Sequence, residues 1–127
     1  SVGCDKTLKV IMADKKLLNQ CIINILNNGI DAVRKNAGER IIDLNLINSP
    51  SGKIIIKICN NCPAIPASVS DKIFVPFFTT KPEGSGIGLS ISQEIVKLHH
   101  GSLTVLSSEG ENTCFIIELL GSSISDV

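Results

Sequence analysis

Tryptophan and tyrosine are absent from the 127 residues, and four phenylalanines are the whole aromatic complement. With 43% of the residues hydrophobic, the core must be aliphatic. No apolar run approaches the roughly 20 residues of a membrane-crossing helix, and the first residues do not read as a signal peptide. An excess of either charge is also lacking. Twelve Lys plus Arg balance twelve Asp plus Glu, which removes the electrostatic footprint expected for nucleic acid or an anionic membrane surface. Any anion must then be held by local geometry. A chain of this length is expected to form one domain that buries roughly two-thirds of its unfolded surface, and no internal repeat or linker divides it.

Cysteine is present in an odd number, five. Cys4, Cys21 and Cys114 stand in apolar segments, so unpaired thiols in a reducing compartment are expected rather than a disulfide framework. Cys59 and Cys62 have CxxC spacing, but a tetrahedral zinc site needs two further ligands and neither a second CxxC nor a His pair at finger spacing exists. The pair reads as a strand end. The start at Ser1 without Met suggests a piece of a longer protein.

The chain does have glycine at alternate positions, Gly84, Gly86 and Gly88, with an apolar run at helical spacing (Ile87, Ile91, Ile95, Leu98) beginning inside them. Bare backbone amides at a helix N-terminus lack intrahelical partners and carry roughly +0.5 charge from the macrodipole, which suits a phosphate. Lys81 stands just upstream. The spacing is neither a dinucleotide fingerprint nor a P-loop, and such glycines also occur in plain turns.

Residues 8–12 read as a short strand, followed by Asp14 as N-cap of a helix over 15–37 with Gly38 as its stop. Leu18, Cys21, Ile22, Ile25, Leu26, Gly29, Ala32 and Val33 give that helix a buried face. A second stripe runs through Asn24, Asn28 and Asp31, beside Gln20 and Asn27. Asparagine is a mediocre helix former, so the stripe is either a solvated face or a polar strip turned toward a ligand. Amide oxygens on such a strip suit a hard cation such as Mg²⁺, and amide nitrogens suit phosphate oxygens. Segments 41–47 and 53–59 alternate with period two around a turn-rich link and predict an antiparallel hairpin. Ile42, Leu44 and Leu46 share one face of the first strand; Ile54, Ile56 and Ile58 share one face of the second. Pro63 and Pro66 end that strand. A helical turn is expected at 71–74, a helix at 87–99, and a second hairpin from 103–106 and 113–120. The Ser-rich tail from 121 is expected to fray.

Four features thus follow one another: an Asn-bearing helix at 20–32, a polar loop with prolines at 60–66, a Phe-rich segment ending in Thr-Thr-Lys at 73–81, and the glycines at 84–89. This order resembles the asparagine, first glycine, phenylalanine and second glycine boxes in the ATP-binding catalytic domain of sensor histidine kinases, members of the GHKL ATPase superfamily. The resemblance spans about residues 10–119. It implies a Bergerat-type α/β (α+β) two-layer sandwich, a mixed five-stranded sheet covered on one face by about three helices. It also implies ATP and Mg²⁺ as cofactors. Asn28 would then coordinate Mg²⁺, Asn24 would approach the phosphates, and Lys81 would assist them as part of a short lid. Asp31, Asn60, Ala64, Ile65, Phe78, Thr79, Thr80, Gly84, Ser85, Gly86, Ile87, Gly88 and Leu89 would contribute to nucleotide binding. In hydrolysing relatives such as gyrase and mismatch-repair ATPases the position of Asn24 is a Glu that activates water; an amide cannot act as that base, which favours a kinase. Phe77 to Lys81 and the Asn-x-Ile-Asp-Ala segment from Asn28 are similar to the nitrogen-regulation type, apart from Gly29.

The departures are local. The family's first glycine box reads Asp-x-Gly-x-Gly, its Asp accepting from the adenine amino group; here Asn60, Cys62 and Ala64 replace all three defining residues. His100 stands where a second Gly commonly follows His99, and Gly101 is expected to supply the left-handed cap. His99 and His100 are expected to end the helix at its dipole rather than do chemistry. No segment resembles the phospho-accepting His helix. The expected partners are therefore an upstream dimerisation and phosphoacceptor domain of the same protein and the receiver domain of a response regulator, with no nucleic acid and no direct membrane contact, in the cytoplasm. A degenerate nucleotide-sensing or docking domain and a serine kinase of anti-sigma-factor type are the alternatives.

Overall fold

The computed structural model describes residues 2–4, 14–34, 36–62, 67–76, 88–107 and 112–120. The expected strand at 8–12 and the tail from 121 lie outside them. Helix α1 runs Lys15–Val33, and Asp14 caps it as expected: its backbone is extended and its carboxylate accepts from the Leu17 N–H at 3.0 Å. Cys21, Ile25, Gly29 and Val33 are buried, and Leu18, Ile22 and Leu26 pack beside them at the helical period. The helix stops at Val33, short of 37, and Gly38 is not its C-terminal stop. Ala37, one turn past Val33, is exposed, and Asn36 donates instead to Asn61 just past the end of β3.

Strand β2 (Ile42–Asn48) and strand β3 (Lys53–Asn60) form the expected antiparallel hairpin, with Gly52 at φ 85° in the turn. Leu44 faces Ile58 and Leu46 faces Ile56, so the two predicted apolar faces are one surface. A single turn, α2 (Ala67–Ser70), precedes helix α3 (Gly88–Leu98), strand β4 (Ser102–Leu106) and strand β5 (Thr113–Leu120). Strand β1 (Val2–Cys4), which the sequence pattern did not announce, pairs parallel with β2. The sheet order is β1-β2-β3-β5-β4, four antiparallel strands with β1 added at one edge. Two helices of more than one turn are described, α1 and α3, where about three were expected. The helical turn lies at 67–70, earlier than 71–74.

The core lies between the helices and one face of the sheet. Ile56, Ile58, Phe115, Ile117 and Leu119 from the strands meet Cys21, Ile25, Ile95 and Val96 from the helices. Phe74 adds an edge-to-face contact with Phe115, ring centroids 6.4 Å apart. Helix α3 is rotated from its predicted stripe. Ser92, Ile95 and Val96 are buried, whereas Leu98 is 70% exposed, because a face through 92, 95 and 96 points residue 98 to the opposite side.

The end of α3 corrects a second expectation. His100, at φ 58°, is the left-handed cap; its N–H reaches the Lys97 carbonyl at 2.9 Å and the Gly101 N–H reaches the Val96 carbonyl at 3.0 Å, a Schellman pattern. Gly101 is needed for another reason, since a Cβ there would collide with the Glu118 carbonyl oxygen of β5. The thiol expectation also changes. Cys59 and Cys114 are register partners on β3 and β5 and are joined by a disulfide. Two apolar strands 55 residues apart in sequence had to pair in this register before the bond was visible.

Candidate functional site

Asn24, Asn28 and Asp31 lie half-buried along one side of α1, while Gln20 and Asn27 are exposed. The Asn24 side-chain amide donates to the Gly88 carbonyl at 3.4 Å, and the Ser92 hydroxyl donates to the same oxygen at 2.9 Å. This ties the polar strip of α1 to the first turn of α3, where the alternate glycines end. Asp31 pairs with Arg34 at 3.3 Å. Behind the strip the helices touch through Cys21 and Ser92, the Ser92 hydroxyl also donating to the Cys21 carbonyl at 3.5 Å. Burial pushes the Cys21 thiol up, with the Ser92 hydrogen bond opposing, and the side chain packs in the core.

The buried face of the same helix meets the end of β3 at Gly29. Asn60 is 3% exposed, its carboxamide oxygen accepts from the Cys62 N–H at 3.1 Å, and its amide nitrogen lies 3.5 Å from where a Cβ on Gly29 would stand. Thr113 faces Asn60 in register and is fully buried. Its hydroxyl is 2.9 Å from the Ser107 hydroxyl and accepts from the Cys62 thiol at 3.5 Å. Sequence reading did not single out Thr113, Ser107 and Gly29 as the surroundings of Asn60 and Cys62. The signal for Thr113 was available, because it continues the buried alternation of Phe115, Ile117 and Leu119 with a polar side chain.

Asn61 holds this corner in place. Its side-chain oxygen accepts from the Ile41 N–H at 2.9 Å and from the Asn36 amide at 3.0 Å, and its own amide donates to the Glu39 carbonyl at 2.9 Å. His99 does more than end a helix. Its Nε2 accepts from the Asp14 N–H at 2.9 Å and its Nδ1 donates to the Ile95 carbonyl at 2.7 Å, so a neutral imidazole joins the start of α1 to the end of α3.

Of the residues expected at the site, Asn24, Asn28, Asp31, Asn60, Gly88 and Leu89 are described, and Leu89 packs against the core. Ala64, Ile65, Phe78, Thr79, Thr80, Lys81, Gly84, Ser85, Gly86 and Ile87 lie outside the described residues. Among the described residues no helix is long and apolar enough to cross a membrane.

Residues 13–122 match the family described as histidine kinase-, DNA gyrase B-, and HSP90-like ATPase. The signal transduction histidine-protein kinase AtoS of Escherichia coli K12 is 38% identical over 115 residues, covering 91% of this chain and 18% of its own length. The sensor histidine kinase ZraS of Salmonella typhimurium is 34% identical, over 91% of this chain and 24% of its own. The chain thus spans about a fifth to a quarter of these curated relatives. In the nucleotide-free catalytic domain of histidine kinase ThkA the fold recurs with a TM-score of 0.80 at 31% identity, covering 94% of this chain and 76% of that one. The chain belongs to the family of histidine kinase-, gyrase B- and HSP90-like ATPase domains, and within it to the ATP-binding catalytic domains of histidine kinases.

Proposed function

We propose that the chain binds Mg·ATP and presents the γ-phosphoryl group for transfer to a histidine on a separate helical dimerisation and phosphoacceptor domain of its parent protein, from which a receiver domain takes it on. One observation carries this reading. The polar strip of α1 touches the first turn of α3 through Asn24 and Gly88, and five residues further along the same helix Gly29 lies against the buried end of β3 at Asn60. At 1.5 Å per residue, one helix reaches a phosphate end and a base end about 7–8 Å apart along its axis, the first from its polar strip and the second from its buried face.

In this reading the amides of Gly84, Gly86 and Gly88 take the phosphates at the α3 N-terminus, with Thr79, Thr80 and Lys81 as a short lid. The Asn28 amide oxygen, half-buried between Asn24 and Asp31, is a hard donor that fits Mg²⁺, which when bound supplies charge neutralisation at the phosphates. Asn24 spends its amide N–H on Gly88 and has no basic atom with which to activate water. Phosphoryl transfer asks chiefly for positioning and charge stabilisation, which these groups provide. In this reading the domain works in the cytoplasm, with the rest of the phosphotransfer machinery.

Titration calorimetry with and without Mg²⁺ tests the reading. Asn28→Ala is expected to weaken nucleotide binding mainly when Mg²⁺ is present, by about ten-fold or more. Radiolabelled ATP is expected to leave the chain itself unlabelled and to label an added His-bearing helical hairpin from the parent. Absence of binding at millimolar nucleotide, or steady phosphate release comparable with hydrolysing relatives, would overturn it.

A further inference from the structure

We infer that the base end of the site reads the purine 6-position with a hydrogen-bond donor, so that a 6-oxopurine nucleoside triphosphate such as ITP or GTP is bound at least as well as ATP. This rests on the placement of the base at Asn60 proposed above. The reasoning begins with a backbone amide. The Cys62 N–H can only donate, and the Asn60 atom it meets at 3.1 Å must therefore be the carboxamide oxygen. That contact settles the orientation of the amide. The NH₂ is then the group turned toward α1, 3.5 Å from the position a Gly29 Cβ would take.

An Asp at position 60 would behave differently. One carboxylate oxygen could accept from the Cys62 N–H while the other accepted from the exocyclic amino group of adenine. Asn60 replaces that second acceptor with a donor. Two N–H groups then face each other, whereas the O6 of guanine or hypoxanthine finds a complementary partner. Because Asn60 is only 3% exposed, water does not rescue the mismatch, and an unpaired buried donor carries its full desolvation penalty. Flipping the amide does not help, since it would place the NH₂ against the Cys62 N–H. Gly29 adds room on the same side: an alanine methyl would stand in van der Waals contact with the Asn60 amide nitrogen and with the Ile42 side chain, at 3.6 Å from its Cδ1.

The experiment compares ATP, GTP and ITP as Mg²⁺ complexes by calorimetry on the unaltered chain and on Asn60→Asp. ITP differs from GTP only in lacking the 2-amino group, so against ATP it changes only the 6-substituent and the N1 proton that accompanies it. The unaltered chain is expected to bind ITP no more weakly than ATP, and Asn60→Asp to tilt the ratio toward ATP by about ten-fold. A preference of the unaltered chain for ATP over ITP of about ten-fold or more would overturn the inference while leaving nucleotide binding intact. An unchanged ratio in a folded Asn60→Asp chain would do the same. Absence of binding by all three nucleotides to both chains would remove the functional reading beneath it as well. Should Asn60→Asp fail to fold, as judged by its thermal melt, the ATP to ITP ratio of the unaltered chain decides alone.

Discussion

At the scale of single residues, identity and backbone geometry conflict most plainly at His100. A non-glycine side chain in the left-handed region costs roughly 1–2 kcal/mol, and His100 at φ 58° is the one described non-glycine residue there. Its side chain is exposed, so nothing buried is lost by removing it. Glycine gives back part of the gain through the greater freedom of the unfolded chain. His100→Gly is therefore expected to raise stability by about 0.5–1 kcal/mol, a Tm increase of roughly 2–4 °C in a thermal melt. His99→Gly should do the opposite, because the Asp14 N–H and the Ile95 carbonyl lose their shared imidazole. Adjacent histidines that look alike in the sequence thus have opposite value in the fold.

At the scale of elements, the three pieces that converge beside Asn60 are held by one pair of amides. Asn36 follows α1, residues 39–41 lead into β2, and Asn61 follows β3; the hydrogen bonds among them cross all three junctions. Side-chain hydrogen bonds contribute roughly 0.5–1.5 kcal/mol each. Asn61→Ala, which removes three, is expected to cost about 1.5–3 kcal/mol by denaturant titration. Asn36→Ala is expected to cost less, and the double variant to fall short of the sum by about 0.5–1.5 kcal/mol because the two amides share bonds. Strict additivity would show that the pair does not act as one latch. The α1 boundary follows from the same contacts: the helix ends where Asn36 is worth more to Asn61 than to another helical turn.

For the whole molecule, the Cys59–Cys114 disulfide closes a loop of 55 residues that includes α2 and α3. Constraining the unfolded chain to that extent is worth about 2–4 kcal/mol. Reduction, or the Cys59→Ala and Cys114→Ala pair, is expected to lower the denaturation midpoint accordingly, and an unchanged midpoint would show that the sheet registers these strands without it. Much of the architecture was legible in the sequence because it depends on local periodicity. The cap at Asp14, the buried stripe of α1, the isoleucine faces of β2 and β3 and the hairpin of β4 and β5 are each written in spacings of two or of three to four residues. The Asn24–Asn28–Asp31 strip was legible for the same reason. Tertiary structure decided what such spacings cannot contain. Periodicity does not say which turn of α3 faces the core, and that face was set by the close approach of Ser92 to Cys21 on α1. Nor does it say which strands are neighbours, and only the pairing of β3 with β5 brought Cys59 to Cys114 and Asn60 to Thr113. The sequence by itself determined α1, α3 and the four antiparallel strands and singled out Asn60 along with Cys62 and Ala64; the way the Asn60 amide turns was decided by the Cys62 N–H two residues on, because a fixed backbone donor leaves a planar amide only one way to turn.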